Sequence, residues 1–240
     1  MKKNRNSICG YLVCISAIIV MLITALDIVC FHSGFYEREY ENSDRAEALG
    51  VSDEDLMAST DALLDYLRGE REDIVVDIIL RGNEREAFNN KEKMHMEDVK
   101  KLYDHVMLAR TGCLLVLIGC FIYLAVKLKQ NVLEFVAKRF LKTAVCFVTA
   151  VVFLGFYALV DFTGFWTGFH RLFFHNELWL LDPATDFMIN MFPEQLFFHL
   201  IIWITVFFLI PFALSGALCY TYLKNERLGN MPADEEVKEL

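Results

Sequence analysis

The sequence predicts a mainly α membrane protein: four transmembrane helices, a small α+β extracytoplasmic loop domain and an aromatic-rich interfacial loop. Three observations predict it. Hydrophobic residues make up 55% of the 240 and charged residues only 23%, a balance unlike that of soluble or disordered chains. Four apolar windows each approach the ~20 residues that a helix needs to cross a bilayer core. The charges are gathered between those windows. A net charge of −9 lacks the basic surface that nucleic acid requires, so no nucleic-acid partner is expected.

The first window runs roughly from Ile8 to Phe31 and closes a segment, residues 1–31, of basic tail and first span. A cleaved signal peptide is the competing reading. The run is long for one, and no small-x-small site follows it. Nor do Asp27-Ile28-Val29 before Cys30 form a lipobox. A loop domain, residues 32–105, precedes the second span at 106–126. A short loop, 127–142, leads to the third span at 143–161. An interfacial loop, 162–195, precedes the fourth span at 196–222, and a tail, 223–240, follows.

Orientation follows from Lys and Arg near the spans. The first tail, the 127–142 loop and the last tail hold eleven of them: Lys2, Lys3, Arg5, Lys127, Lys129, Lys138, Arg139, Lys142, Lys224, Arg227 and Lys238. Across the membrane, Ser33 to His105 holds ten basic against twenty acidic residues, and the stretch from Thr163 to Glu194 has Arg171 as its one Lys or Arg. Both termini are therefore expected in the cytoplasm and both large loops outside a cell membrane. All seven cysteines (Cys9, Cys14, Cys30, Cys113, Cys120, Cys146, Cys219) fall in apolar windows. That leaves no extracytoplasmic disulfide framework and no metal spacing, and it fits Cys used as a small hydrophobe.

Within the first loop, Ser52-Asp53-Glu54-Asp55 reads as a helix N-cap, Leu56, Leu63, Leu64 and Leu67 follow at helical spacing, and Gly69 ends the run. Ile74 to Leu80 is β-branched and closed by Gly82-Asn83, so it reads as a strand. After a charged stretch, Glu84 to Lys93, a helix is expected from Met94, placing His95, Asp98, Val99, Leu102, Tyr103 and Val106 on one face. In the second loop, Phe162 to Phe198 carries nine Phe and two Trp in 37 residues. An aromatic belt accounts for these, but not for the ionisable groups among them. The segment is expected to lie on or dip into the outer leaflet, with Pro193 in the first turn of the last span.

All six histidines (His32, His95, His105, His170, His175, His199) lie in the outer loops or at the outer ends of spans. One interfacial His is usually structural. His95, one helical turn from Asp98, and His170, inside Phe169-His170-Arg171-Leu172-Phe173-Phe174, are the candidates for proton transfer. There is no His-Glu-x-x-His zinc motif, Gly-x-Ser-x-Gly elbow or Walker loop. Asp27 and Asp161 sit toward span ends, which disfavours a transporter. A metal site from His95, Asp98, His170 and His175 is conceivable, but its spacing is not diagnostic. No metal and no cofactor is expected.

Two motifs carry a resemblance. Phe169-His170-Arg171-Leu172-Phe173-Phe174 continues through Asn176-Glu177-Leu178-Trp179, Asp182-Pro183, Thr185-Asp186 and Met191-Phe192-Pro193-Glu194. Earlier stands Glu92-Lys93-Met94-His95-Met96-Glu97-Asp98-Val99-Lys100. Together, over essentially the whole chain, they resemble a bacterial four-span membrane family that includes the lipoprotein intramolecular transacylase (Lit). The resemblance implies a substrate: diacylglyceryl-modified lipoproteins, met among membrane lipid. It implies a reaction, transfer of the sn-2 acyl chain to the N-terminal cysteine's α-amine to give a lyso-form lipoprotein. The family's two functional histidines fall on His95 and His170, one expected as base and the other as acid, in an order left open. Asp98, Arg171, Glu177, Trp179, Asp182, Asp186 and Glu194 are the supporting or substrate-positioning candidates. His175 stands where an aromatic or small polar residue is expected, so no role is carried onto it. The alternatives are a non-enzymatic sensor or scaffold with an acidic outer domain, and a metal-dependent lipid hydrolase.

Overall fold

A computed structural model describes residues 2–229. Met1 and residues 230–240, with Lys238 of the expected tail, lie outside the described residues. The elements in order are α1 (Lys2–Cys30), α2 (Ser33–Asn42), α3 (Arg45–Leu49), α4 (Asp53–Arg68), β1 (Asp77–Leu80), β2 (Asn83–Glu86), α5 (Asn90–Leu128), α6 (Val132–Val160), α7 (Phe162–Phe173), α8 (Phe187–Met191) and α9 (Glu194–Gly229). Three helical stretches are long and apolar enough to cross a membrane: Asn4–Cys30, Asn90–Val160 and Glu194–Gly229. The middle one, 71 residues long, contains both α5 and α6. These two are separated by a 3₁₀ turn, Lys129–Asn131, in which Lys129 has φ 51°.

The chain divides into two compact units. One comprises the chain up to Ala25, Ala109–Phe156 and the chain from Thr205 onward. Its core gathers Cys14, Ile18 and Ala25 with Phe140, Phe208 and Phe212. Around that core, Val145, Phe153 and Ile210 point outward and are more than 60% exposed. Apolar side chains presented outward on this scale suit a hydrocarbon solvent.

The second unit, Leu26–Leu108 with Tyr157–Ile204, holds a larger core. Phe35, Tyr36 and Tyr40 from α2, Leu56 and Leu63 from α4, Ile78 from β1, and Met188 and Met191 from α8 pack together with Phe88. The α4 boundaries follow the sequence signals. Ser52 Oγ accepts from the Asp55 N–H at 3.0 Å, and Gly69 closes the helix with φ 78°, a left-handed conformation that costs glycine little. The expected strand over Ile74 to Leu80 shrinks to β1, which pairs antiparallel with β2 from Asp77–Glu86 to Leu80–Asn83. Arg81 and Gly82 both have positive φ, as a two-residue I′ turn demands. Burial alternates along β1, so only one face of this hairpin is covered.

Three boundaries differ from expectation. Helix α5 begins at Asn90 rather than Met94. Asn89 Oδ1 accepts from the N–H groups of Lys91 and Glu92, while Glu92 Oε2 accepts from the Asn89 N–H at 2.7 Å. This is a reciprocal capping box, and it starts the helix a turn early. The second loop is partly helical. Asp161 caps α7 by accepting from the Gly164 N–H at 2.8 Å, so twelve aromatic-rich residues form a helix. Pro193 immediately precedes α9, and its carbonyl accepts from Leu196 N–H.

Candidate active site

Every side chain of the site belongs to the second unit. Helix α4 supplies Leu63, Leu64 and Leu67 as one wall, and the first part of α5 supplies His95, Met96, Val99 and Leu102. Opposite them, α7 supplies Trp166, Phe169 and His170, and the chain from Phe174 to Phe197 closes the pocket with Trp179, Met188, Phe192 and Glu194. The cavity is about 360 Å³. Its lining is almost wholly apolar and aromatic, and His95 and His170 are both buried in it.

The two imidazoles approach each other with ring centroids 6.3 Å apart. Phe174 sits edge-on to His95 at 5.3 Å. Around His170, Trp179 stacks at 4.9 Å and Trp166 meets the ring edge-on at 4.8 Å. The last turn of α7 fixes the His170 tautomer. Nδ1 lies 2.8 Å from the carbonyl oxygen of Trp166, four residues back on the same helix. A carbonyl only accepts, so Nδ1 carries the hydrogen and Nε2 keeps the lone pair in the neutral ring. His95 differs: its Nδ1 is buried without a hydrogen-bond partner. A buried orphan N–H is rarer than an orphan acceptor, which favours the tautomer with hydrogen on Nε2.

Burial sets the charge of both rings. Desolvation, helped by the neighbouring His170, lowers His95 to about 4, with Asp98 opposing. Desolvation also puts His170 below the usual imidazole range, against the Trp166 carbonyl that favours its protonated form. Both lie before or between the apolar windows, His95 eleven residues ahead of Val106. At neutral pH the pocket therefore holds two uncharged imidazoles.

Asp98 does not orient His95 by a hydrogen bond. Its Oδ2 accepts from Asn176 Nδ2 at 2.8 Å and its Oδ1 from Lys101 Nζ at 3.1 Å, so it acts on the ring through charge. Trp179 and Glu194 line the pocket. Asp186 is buried one shell back, accepting from Asn89 Nδ2, Thr185 Oγ1 and the Asp182 N–H, with Lys91 Nζ 3.6 Å away. Asp182 is exposed and caps a turn through the Ala184 N–H. Arg171, Glu177 and His175 are exposed and do not line the cavity. His199 pairs with Glu39 at 2.7 Å, outside the pocket lining. Among the described residues no three His, Cys, Asp or Glu side chains are grouped as a metal ligand set.

One residue of the site was not singled out by the sequence. Glu92 is completely buried, and its Oε1 accepts from the Met188 N–H at 2.6 Å while Oε2 holds Asn89. It ties the start of α5, one turn before His95, to α8 in the opposite wall. Its signal was present, since Asn89-x-x-Glu92 is the capping-box pattern. Glu92→Ala strands two buried N–H groups and is expected to destabilise the protein by about 2–4 kcal/mol. Thermal unfolding of the purified protein in detergent measures this. An unchanged midpoint would show that the carboxylate carries no such load.

Two buried imidazoles in an apolar pocket, carried by a chain with helices long and apolar enough to cross a membrane, mark a membrane protein with a candidate acid–base site. The chain belongs to the lipoprotein intramolecular transacylase Lit family, whose family model matches residues 11–198, and the family is one of acyltransferases. The fold agrees. The in meso structure of the membrane-integral lipoprotein intramolecular transacylase Lit from Bacillus cereus superposes with a TM-score of 0.73 at 20% identity, covering 94% of this chain and 98% of that one. Two single-histidine variants of the same Bacillus cereus protein, to Arg and to Ala, each give a TM-score of 0.70 at 18% identity. The Arg variant aligns over 95% of this chain and 96% of its own, the Ala variant over 94% and 97%. A search of curated proteins finds no significant match.

Proposed function

We propose that this chain performs the family's transfer at the His95–His170 pair, moving the sn-2 acyl chain of a diacylglyceryl-cysteine lipoprotein to its own α-amine. The observation that carries the proposal is two buried imidazoles with ring centroids 6.3 Å apart inside one apolar pocket. His170 Nε2 has the free lone pair, and we assign it the base. It takes a proton from the amine nitrogen as that nitrogen bonds to the sn-2 ester carbonyl carbon. His95, through Nε2–H, donates a hydrogen bond to the oxygen on which negative charge develops. The carbon–oxygen bond to glycerol then breaks, and the imidazolium of His170 returns the proton to the departing alkoxide. A cationic His95 acid is disfavoured, because burial holds its pKa down to about 4. Aromatic faces around His170 favour its brief positive charge.

No enzyme nucleophile enters this scheme. Amine and ester belong to one molecule, and holding them in reacting geometry is worth on the order of 7–11 kcal/mol. Apolar walls from α4, α5 and α7 hold the acyl chain, Trp179 positions His170 by stacking, and Asp186 with Glu92 fixes the segment bearing Met188. Mass spectrometry of lipoprotein N-termini from cells with and without the gene tests the reading. Lyso-form termini are expected only with it; their persistence in the deletion strain would remove the assignment.

The same proposal includes four spans rather than three, with α5 and α6 each crossing once, and with domain limits as the sequence sets them. Both termini face the cytoplasm and both large loops lie outside. An impermeant thiol reagent is expected to label Ala58→Cys, an exposed position on α4, in intact cells. It is expected to spare Gln130→Cys, exposed between α5 and α6. The neighbouring Ser59 is fully buried and unsuited as a reporter. The opposite labelling pattern would invert the topology.

A further inference from the structure

We infer that Glu194 is the subsite that captures the cationic α-amine of the substrate, an inference that rests on the transacylase reading above and extends it to substrate recognition. The substrate's reacting nitrogen has an ordinary pKa of about 7.7–8.0, so it arrives mostly as an ammonium. Moving that charge into an apolar pocket is costly unless an opposite charge meets it. With both imidazoles neutral, Glu194 is the one formally charged side chain in the pocket lining.

Its surroundings suit that task. Thr163 Oγ1 lies 3.1 Å from each carboxylate oxygen and donates to them, which fixes the group without neutralising it. Four other acids of this unit are already engaged. Glu92 holds two backbone N–H groups, Asp186 faces Lys91, Asp98 faces Lys101 and Glu39 faces His199. Glu194 makes no ion pair among the described residues. An ionised carboxylate offers about four acceptor positions, enough to serve Thr163 and the ammonium together. The nearby pair Trp166 and Phe197, with ring centroids 4.3 Å apart in the same lining, adds aromatic surface that also favours a cation. Capture and chemistry then divide between residues. Glu194 stabilises the ammonium and so raises the bound amine's pKa; the ammonium's extra proton leaves to solvent, and His170 takes the second as the nitrogen bonds to the ester carbon.

The test compares a synthetic diacylglyceryl-cysteinyl peptide bearing a free amine with its N-acetyl twin, binding to full-length His170→Ala protein in micelles, where turnover is suppressed. The free amine is expected to bind about fivefold tighter at pH 7, as an ion pair at a partly open pocket mouth allows. Adding Glu194→Gln is expected to abolish that preference and leave affinity for the N-acetyl twin unchanged, while Glu194→Asp keeps part of it. A preference that survives Glu194→Gln overturns the inference. So does an equal fall in both affinities, which would mark Glu194 as only a helix-terminal acid tied to Thr163. In the otherwise unaltered enzyme, Glu194→Gln is expected to shift the rising limb of the pH–rate curve down by about 0.7 unit, the same fivefold factor; an unmoved limb counts against it. Acyl transfer without amine preference removes the subsite and keeps the transacylase reading. Amine preference without acyl transfer does the reverse.

Discussion

His170→Ala is expected to slow lyso-form production by roughly 10²–10⁴-fold, the range for losing a positioned general base. The pocket should survive the change, because the ring is neutral and its Nδ1 bond goes to a carbonyl of its own helix. Purified enzyme and a synthetic diacylglyceryl lipopeptide give the rate directly, and thermal unfolding shows that the fold is retained. Added imidazole should restore part of the loss in His170→Ala, since the vacated space lies between Trp166 and Trp179. His95→Ala is expected to be comparably slow, because a hydrogen-bond donor to the developing oxyanion is lost, yet imidazole should help less. His105→Ala and His199→Ala should keep most of the rate: His105 is exposed, and His199 is engaged with Glu39. The pH dependence has a definite sign. Burial lowers the pKa of both rings, His95 to about 4, so the rate should climb with the bound substrate's amine, which Glu194 holds above its ordinary pKa of about 7.7–8.0, and not with an imidazole near pH 6.5. Normal rates in either pocket-histidine variant would end the assignment.

Much of this site was legible because its signals are local. Ser52 and Gly69 mark α4 by cap chemistry that needs no tertiary context, and both ends fall where the sequence puts them. The pairing of His95 with His170 was legible only through a resemblance, because 75 residues separate them and no spacing rule bridges that gap. Other features were decided by tertiary contacts. Asp98 reads as the partner of His95 by helical spacing, but Asn176, 78 positions away, claims its carboxylate. Glu92 sat in a stretch that reads as solvated charge, and its burial depends on Met188 presenting a bare N–H from α8. Helix α7 was hidden for a different reason. Its aromatic residues, Phe162, Phe165, Trp166, Phe169 and Phe173, share one face at helical spacing, but the aromatic belt expected at a membrane surface accounted for them without a helix.

A substrate whose α-amine is blocked is expected to be wholly inert, neither rearranged nor hydrolysed. The reason lies in what the pocket lining lacks. Its polar side-chain groups are the two imidazoles, the Glu194 carboxylate, the indole N–H groups of Trp166 and Trp179, and the Tyr36 hydroxyl, which donates to the Cys30 carbonyl at 2.8 Å. No Ser, Thr or Cys lines the cavity. All seven cysteines are free thiols and lie in apolar windows, where a thiolate would be poorly solvated. Replacing all seven with Ala or Ser should therefore preserve transfer, apart from losses in folding that thermal unfolding would report. Two other mechanisms predict otherwise. A ping-pong acyltransferase would load an acyl group onto the protein and stall there when the amine is blocked. A metal-dependent hydrolase would release free fatty acid from the blocked substrate and lose activity with a chelator. Radiolabelled sn-2 acyl substrate separates the three, because label on the protein, label in free fatty acid and label retained in intact substrate are distinct products. Direct transfer predicts only the last, and it predicts that the same substrate with a free amine yields a rearranged molecule of unchanged mass. Covalent label on the protein, or fatty acid from the blocked substrate, would show that a protein group or an activated water attacks the ester before the amine does.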